Sequence, residues 1–239
     1  HGGPAVPIRA ANYDFYRQLT ADGYDVYLYD QVGSGLSEHL PDIREYTLAR
    51  HVADLEAIRQ QIGAPQLTLV GTSWGAVLAA HYLAAYPDHA AAVVFISPGV
   101  LGDRRNLRYD HSRTASASDD SIILPPLRMI VAGMLARINP TAAQQLAAQA
   151  EMNSLYDGFI TSPSLEYQGH CKGYQPETAV ATRSGGGNYY ANLLTLESLK
   201  RAADPRPQLQ SNQTPALVLR GECDYIPWEA TYSYKQTLP

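Results

Sequence analysis

The sequence predicts an α/β fold with a doubly wound, mostly parallel sheet, and three observations carry that reading. Short β-like runs recur at residues 24–30 (YDVYLYD), 67–71 (LTLVG), 91–97 (AAVVFIS) and 216–220 (ALVLR). Each is nearly continuous in hydrophobicity and is closed by Gly, Pro or Asp, as suits strands buried on both faces. Helical patterns lie between them, and strands alternating with helices indicate crossover connections. The third observation is the run LTLVGTSWGAVLAAHY at 67–82, where a strand pattern passes through a glycine-flanked serine straight into a helix pattern.

Taken in order, residues 10–21 read as a helix stopped by Gly23, and 24–30 as the first strand. Leu48, Val52, Leu55, Ile58 and Ile62 recur at steps of three and four, with Thr47 as N-cap and Gly63 as the stop. Residues 76–86 form the helix after the second strand and end at Pro87. The alternation fails between 103 and 206, a mixed polar stretch with Pro125-Pro126, a helix over 141–152 capped by Asn139, and a flexible Gly185-Gly186-Gly187. That segment reads as an inserted, mainly helical cap. Asp204-Pro205-Arg206-Pro207 reads as an extended return to the core. The expected organisation is therefore core over 1–102, cap over 103–206 and core again over 207–239.

Composition narrows the function. The chain of 239 residues is 45% hydrophobic and 17% charged, enough for a sizeable core. Its net charge of −5 is spread out with no Lys/Arg run, which argues against nucleic acid or an anionic membrane surface as the main partner. The most apolar stretch, 122–138, is interrupted by Pro125, Pro126 and Arg128, so no span of the bilayer is expected. Cys171 and Cys223 do not make a disulfide framework; a buried thiol is expected for each, with a lean toward a reducing, cytoplasmic compartment. No zinc or other metal site is supported, because His170 and Cys171 are adjacent and lack a second ligand pair at usual spacing. The chain opens at His1 inside H-G-G-P, which hints at an internal piece of a longer protein.

Three motifs carry chemistry. Gly71-Thr72-Ser73-Trp74-Gly75 fits G-x-S-x-G, in which small residues let a strand turn sharply into a helix and present the serine as a nucleophile. His1-Gly2-Gly3-Pro4 offers a turn whose backbone N–H could approach a developing oxyanion, with the Trp74 N–H at the helix start as the other donor. Arg220-Gly221-Glu222-Cys223-Asp224 follows the last strand, where an acid that orients a histidine belongs; Glu222 and Asp224 are the two carboxylates available.

In this order the motifs, with Asp30-Gln31-Val32-Gly33-Ser34-Gly35-Leu36-Ser37 between the first two, resemble the α/β-hydrolase superfamily, and within it the proline iminopeptidase group. The tryptophan after the serine is the more specific sign. The resemblance covers most of both core segments and is weak across the cap. It implies Ser73 as nucleophile, Asp224 as acid, Gly3 and Trp74 as oxyanion donors, and a structural loop around Asp30. Two departures stand out. Val32 occupies the usual arginine position of that loop, and Gly187 precedes Asn188-Tyr189-Tyr190 where the family's amine-binding glutamate would be. Tyr189, Tyr190, Glu166 and Glu177 are the substrate-binding candidates, with Asp157 as a further carboxylate available to hold a free amine.

The base is the missing part. His1 belongs to the oxyanion turn, His51 and His81 to helices, and His39, His89 and His111 to loops or element ends. His170 alone has a conceivable approach, from the cap. In this fold the histidine follows the acid by about 25 residues, and only fifteen follow Asp224, none of them His. A catalytic His beyond residue 239 is expected, together with absent first and last strands and an inactive isolated piece. The implied activity is acyl-enzyme hydrolysis of a small amide, peptide N-terminus or ester, without metal or organic cofactor. The alternatives are an esterase on the same core or a non-catalytic binding protein. The sequence does not set the oligomeric state.

Overall fold

The computed structural model describes residues 1–102, 126–161, 170–173 and 185–239. His111, Pro125, Glu166 and Glu177 lie outside the described residues. Among those described, three parallel strands form one sheet in the order β1 (Leu67–Thr72), β2 (Ala90–Ile96) and β3 (Ala216–Leu219). Thr72 is level with Ile96, and Ile96 with Leu219, so the carboxyl ends of all three strands reach one edge.

The expected strand at 24–30 is not part of this sheet. The segment has no regular structure and joins no ladder, and Tyr24 and Tyr27 are exposed. Its aromatic, β-branched composition favours an extended backbone, whereas a strand also needs a neighbour to take its N–H and C=O groups.

Ahead of the sheet, α1 (Ala10–Tyr16) tightens into a 3₁₀ turn over Arg17–Asp22 that stops at Gly23, φ 85°. Helix α2 (Leu48–Gln61) begins where Thr47 accepts the Arg50 N–H and ends before Gly63. Helix α3 (Trp74–Ala85) starts directly after Ser73, two residues earlier than the apolar pattern alone indicated. It packs on β1 and β2 to bury Leu69, Ala76, Ala80, Leu83, Val93 and Phe95.

Four helices are described between β2 and β3 ahead of residue 202: α4 (Leu127–Ala136), α5 (Pro140–Leu146), α6 (Gln149–Ile160) and α7 (Tyr189–Arg201). Asn139 caps α5 as expected, but the helix read over 141–152 is two helices. The Tyr190 hydroxyl donates to the carbonyls of Ala143 (3.1 Å) and Ala147 (2.8 Å), and Ala147 turns extended there. These helices share a core with the loops of the first segment: Ala5, Val32, Leu40, Ile43 and Tyr46 pack with Met129, Met152, Tyr156 and Tyr190. Val32, where the related loop carries arginine, sits in that apolar cluster.

Two further expectations are corrected. Residues 204–207 begin a short helix, α8 (Arg206–Gln210), because Asp204 accepts the Arg206 N–H and Pro207 falls in the first turn, where its missing N–H costs nothing. The cysteines are not buried thiols: Cys171, exposed, is joined to Cys223, half-buried, in a disulfide across 52 residues of sequence. The last helix, α9 (Trp228–Thr237), returns Tyr234 to the ring of Phe95, with centroids 4.8 Å apart. Among the described residues, no helix is long and apolar enough to cross a membrane.

Candidate active site

Ser73 occupies the turn between β1 and α3 with φ 54° and ψ −113°. A non-glycine residue pays strain to stay there, so the surroundings must hold it. The Ser73 N–H donates to the Ile96 carbonyl at 3.0 Å, and the Ser73 carbonyl accepts from Ala76 (3.1 Å) and Gly99 (3.0 Å). The turn also leaves no space at its flanks. A Cβ on Gly71 would run into the Gly75 backbone, and one on Gly75 would lie 2.8 Å from the His1 carbonyl oxygen.

The His1–Gly3 turn lies directly against the nucleophile. A Cβ built on Gly2 would stand 3.6 Å from Ser73 Cβ and 4.0 Å from its Oγ. Gly3 has φ 125°, a conformation that favours glycine. Buried Gln31 ties this turn to the elbow: its Nε2 donates to the His1 carbonyl (3.3 Å), and its Oε1 accepts from Trp74 Nε1 (2.9 Å). Trp74 is buried, and its N–H belongs to the first turn of α3, where the helix itself supplies no acceptor. Asp30 is structural, accepting N–H bonds from Ile8 (2.8 Å) and Leu36 (3.0 Å), and its carboxylate fills the space beside Gly35.

Helix α7 grips the same turn from the other side. Asn192 Nδ2 donates to the Pro4 carbonyl (2.9 Å), and the Asn188 N–H donates to the Ala5 carbonyl (3.1 Å). Gly185–Gly187 is not loose either: Gly35 N–H reaches the Gly186 carbonyl (2.9 Å), and Gly187 N–H reaches Asp157 Oδ1 (2.6 Å). At Gly187 a Cβ would meet Ile160 Cδ1 at 2.8 Å and both Ala5 O and Tyr156 Cε1 at 2.9 Å, so no larger residue fits. The Tyr189 hydroxyl donates to the Met129 carbonyl (2.8 Å), and Tyr190 is fully buried with its hydroxyl on α5. Tyr190 therefore joins helices and offers no surface to a substrate.

Asp224 lies in the loop after β3, two strands from β1, which puts the two loops about 10 Å apart across the strand ends. Its side chain is 5% exposed, whereas Glu222 is exposed. Asp224 Oδ1 accepts the Ile226 N–H (2.9 Å), while buried Oδ2 takes no hydrogen bond and has only the Arg220 guanidinium at 3.4 Å. Arg220 holds the loop in shape. It donates to the carbonyls of Asp224 (3.0 Å) and Ile226 (2.6 Å) and to Thr231 Oγ1 (3.0 Å), and lies 5.4 Å over the Trp228 ring.

No described histidine hydrogen-bonds to the Ser73 hydroxyl or to Asp224 Oδ2. His51 is buried beneath the elbow, paired with Thr195 Oγ1 (3.1 Å) and 5.7 Å from the Trp74 ring centroid; burial, with Arg50 nearby, pushes it down to about 4. His89 donates to Glu56, and His39 faces Asn153 and Asn188. His170 is carried toward the acid loop because its neighbour Cys171 is bridged to Cys223. The sequence reading missed Gln31, Asn188 and Asn192 as braces. Gln31 was visible only as the residue after Asp30, and the asparagines act across distances that no local pattern records.

The family model described as alpha/beta hydrolase fold matches residues 1–239. A proline iminopeptidase of Heyndrickxia coagulans is 35% identical over 98 residues, 41% of this chain and 33% of the relative. The chain thus matches about a third of that relative's length. A proline iminopeptidase of Lactiplantibacillus plantarum is 28% identical over 228 residues, 94% of this chain and 74% of the relative. Among solved structures, an esterase from Exiguobacterium antarcticum superposes with a TM-score of 0.59 at 15% identity, covering 100% of this chain and 78% of that one. A proline iminopeptidase-related protein from Thermus thermophilus gives 0.53 at 19% identity, covering 100% and 76%. At these identities the structural likeness concerns the fold. With a strained serine at the carboxyl end of a parallel strand and a family match along the whole sequence, the chain belongs to the α/β-hydrolase-fold family.

Proposed function

We propose that this chain carries the catalytic core of a serine hydrolase that acts through an acyl-enzyme on a small amide, peptide N-terminus or ester. One observation carries the reading: Ser73 is held at φ 54° with the Gly2–Gly3 turn packed against it. Ser73 Oγ attacks the substrate carbonyl, and the N–H groups of Gly3 and Trp74 receive the charge that grows on its oxygen. Asp224 is the acid, since its buried Oδ2 is free to accept an imidazole N–H while Oδ1 is fixed by Ile226. A histidine reaching both residues relays the proton, and water then releases the acyl group. The helices of 126–201 act as the cap over this edge of the sheet, and no metal or organic cofactor takes part. The iminopeptidase relatives support amide or peptide substrates.

A second reading, an esterase, is favoured by the packing at Gly187. No carboxylate fits at that position, and Asp157 is engaged in holding the Gly187 backbone. A substrate amine entering a partly dry site without a carboxylate loses hydration that nothing replaces. The test uses protein expressed from its complete reading frame, first labelled with a fluorophosphonate and then assayed on a proline arylamide and a matched aryl ester. Labelling and turnover that vanish in Ser73→Ala support the hydrolase. Persistence of both in that variant rejects Ser73, and absence of both in the wild type favours a non-catalytic binding protein. Clear preference for the ester rejects iminopeptidase specificity.

A further inference from the structure

We propose that the Cys171–Cys223 disulfide is a covalent brace between the cap and the acid loop, and that the oxidation state of this pair governs how Asp224 is presented. The catalytic consequence rests on Asp224 being the acid. The loop itself supplies the argument. The Asp224 N–H donates to the Gly221 carbonyl at 3.2 Å, closing a four-residue turn in which Cys223 is the third member. The bridge is therefore attached to the turn residue immediately before the carboxylate. On its other side Asp224 is fixed by the Ile226 N–H and by Arg220, yet its Oδ2 keeps no hydrogen-bond partner. A buried carboxylate oxygen without a donor is costly, so its position depends on a rigid loop. Cys171 belongs to the described segment 170–173, and its attachment through the bridge spans 52 residues of sequence.

Cys171 is the more exposed of the two residues, so a dithiol reductant approaches the bridge from its side. Opening proceeds by thiol–disulfide exchange with a dithiol reductant. One thiolate attacks Sγ of Cys171 and expels the Cys223 thiolate, which takes up a proton. The second thiolate then attacks the mixed disulfide and expels Cys171, likewise protonated. Two electrons pass to the pair, and the reductant leaves as its cyclic disulfide. Closure needs the reverse exchange with a disulfide-bearing oxidant. Such bridges persist in oxidising compartments and are kept reduced in the cytosol. The brace therefore places the working form of this chain in an oxidising compartment, against the cytoplasmic lean of its cysteine count.

The test begins with non-reducing peptide mass spectrometry on protein from the complete reading frame, secreted without reductant. A linked Cys171–Cys223 peptide is expected, and alkylation of both thiols in that native protein overturns the proposal. Dithiothreitol is then added while circular dichroism tracks the fold, and backbone hydrogen exchange is followed at residues 221–226. Reduction should speed exchange at Asp224 and Ile226 at least tenfold with helicity retained. It should also lower kcat on the aryl ester at least tenfold with little change in KM, and the Cys171→Ser/Cys223→Ser double variant should match the reduced protein. Unchanged exchange on reduction, or a bridge that opens only as the helices melt, overturns the brace. If exchange responds in a protein that never shows Ser73-dependent turnover, the hydrolase reading fails and the brace stands.

Discussion

Asn192 and Pro4 stand 188 positions apart in the sequence and are joined by one hydrogen bond, from the asparagine Nδ2 to the proline carbonyl at 2.9 Å. Through it helix α7 holds the turn that lies against Ser73. Asn192→Ala removes the donor and frees the turn to drift. Because loss of a whole oxyanion donor costs about 10²–10³ in kcat, a loosened one should cost about tenfold to a hundredfold. Steady-state kinetics on the preferred ester or amide should show the loss in kcat, and wild-type rates in this variant would remove Asn192 from the positioning machinery.

At Gly71 the argument is steric. A methyl group there overlaps the Gly75 backbone, which has no rotamer through which to move aside. Gly71→Ala is expected to destabilise the fold by roughly 3 kcal/mol or more. Urea unfolding should show a lowered midpoint, while Gly158→Ala, on an exposed turn of α6 where a Cβ meets nothing within 4 Å, should unfold at or slightly above the wild-type midpoint.

His51 makes stability depend on pH. Its folded value is about 4 against an ordinary 6.5, so between those values the unfolded chain binds the extra proton and the folded one does not. Stability from this residue is complete above pH 6.5 and falls as pH drops toward 4, by ~3 kcal/mol over the whole interval. Urea midpoints at pH 7.5 and 5.0 should therefore converge in His51→Gln relative to the wild type.

Glu56 works in the opposite chemical sense. Arg59 chiefly, with Tyr82, Gln60 and His89 also donating, holds this buried carboxylate well below the usual carboxylate range. Its contribution is complete above the unfolded value near 4.5 and declines as pH falls below it. Glu56→Gln should be less stable than the wild type at pH 7, and the gap should narrow from pH 4.5 downward in thermal melts.

The Cys171–Cys223 bridge closes a loop across 52 residues, which by chain entropy restricts the unfolded state by about 4 kcal/mol. Unfolding in urea with and without a phosphine reductant should separate by an amount up to that size. Coincident curves would show that the bridge adds nothing to global stability.

Where function-bearing residues depend on local chemistry, they were legible. The G-T-S-W-G turn, the Thr47 and Asn139 caps and the Gly23 and Gly63 stops follow from backbone sterics and from the donors each helix end leaves open. Pairing across the chain was not. Residues 24–30 have a strand's composition without a ladder, α5 and α6 are parted by a tyrosine hydroxyl from α7, and Cys171 pairs with Cys223 across 52 residues that no local pattern links. The packing that excludes a side chain at Gly187 was equally invisible, since it is made by Ala5, Tyr156 and Ile160.

The elbow also carries its own optical probe. Of the chain's two tryptophans, Trp74 is 3% exposed with its Nε1 held by Gln31, whereas Trp228 is 59% exposed. An aqueous quencher such as iodide should therefore dim Trp228 and spare Trp74 until the turn at Ser73 opens.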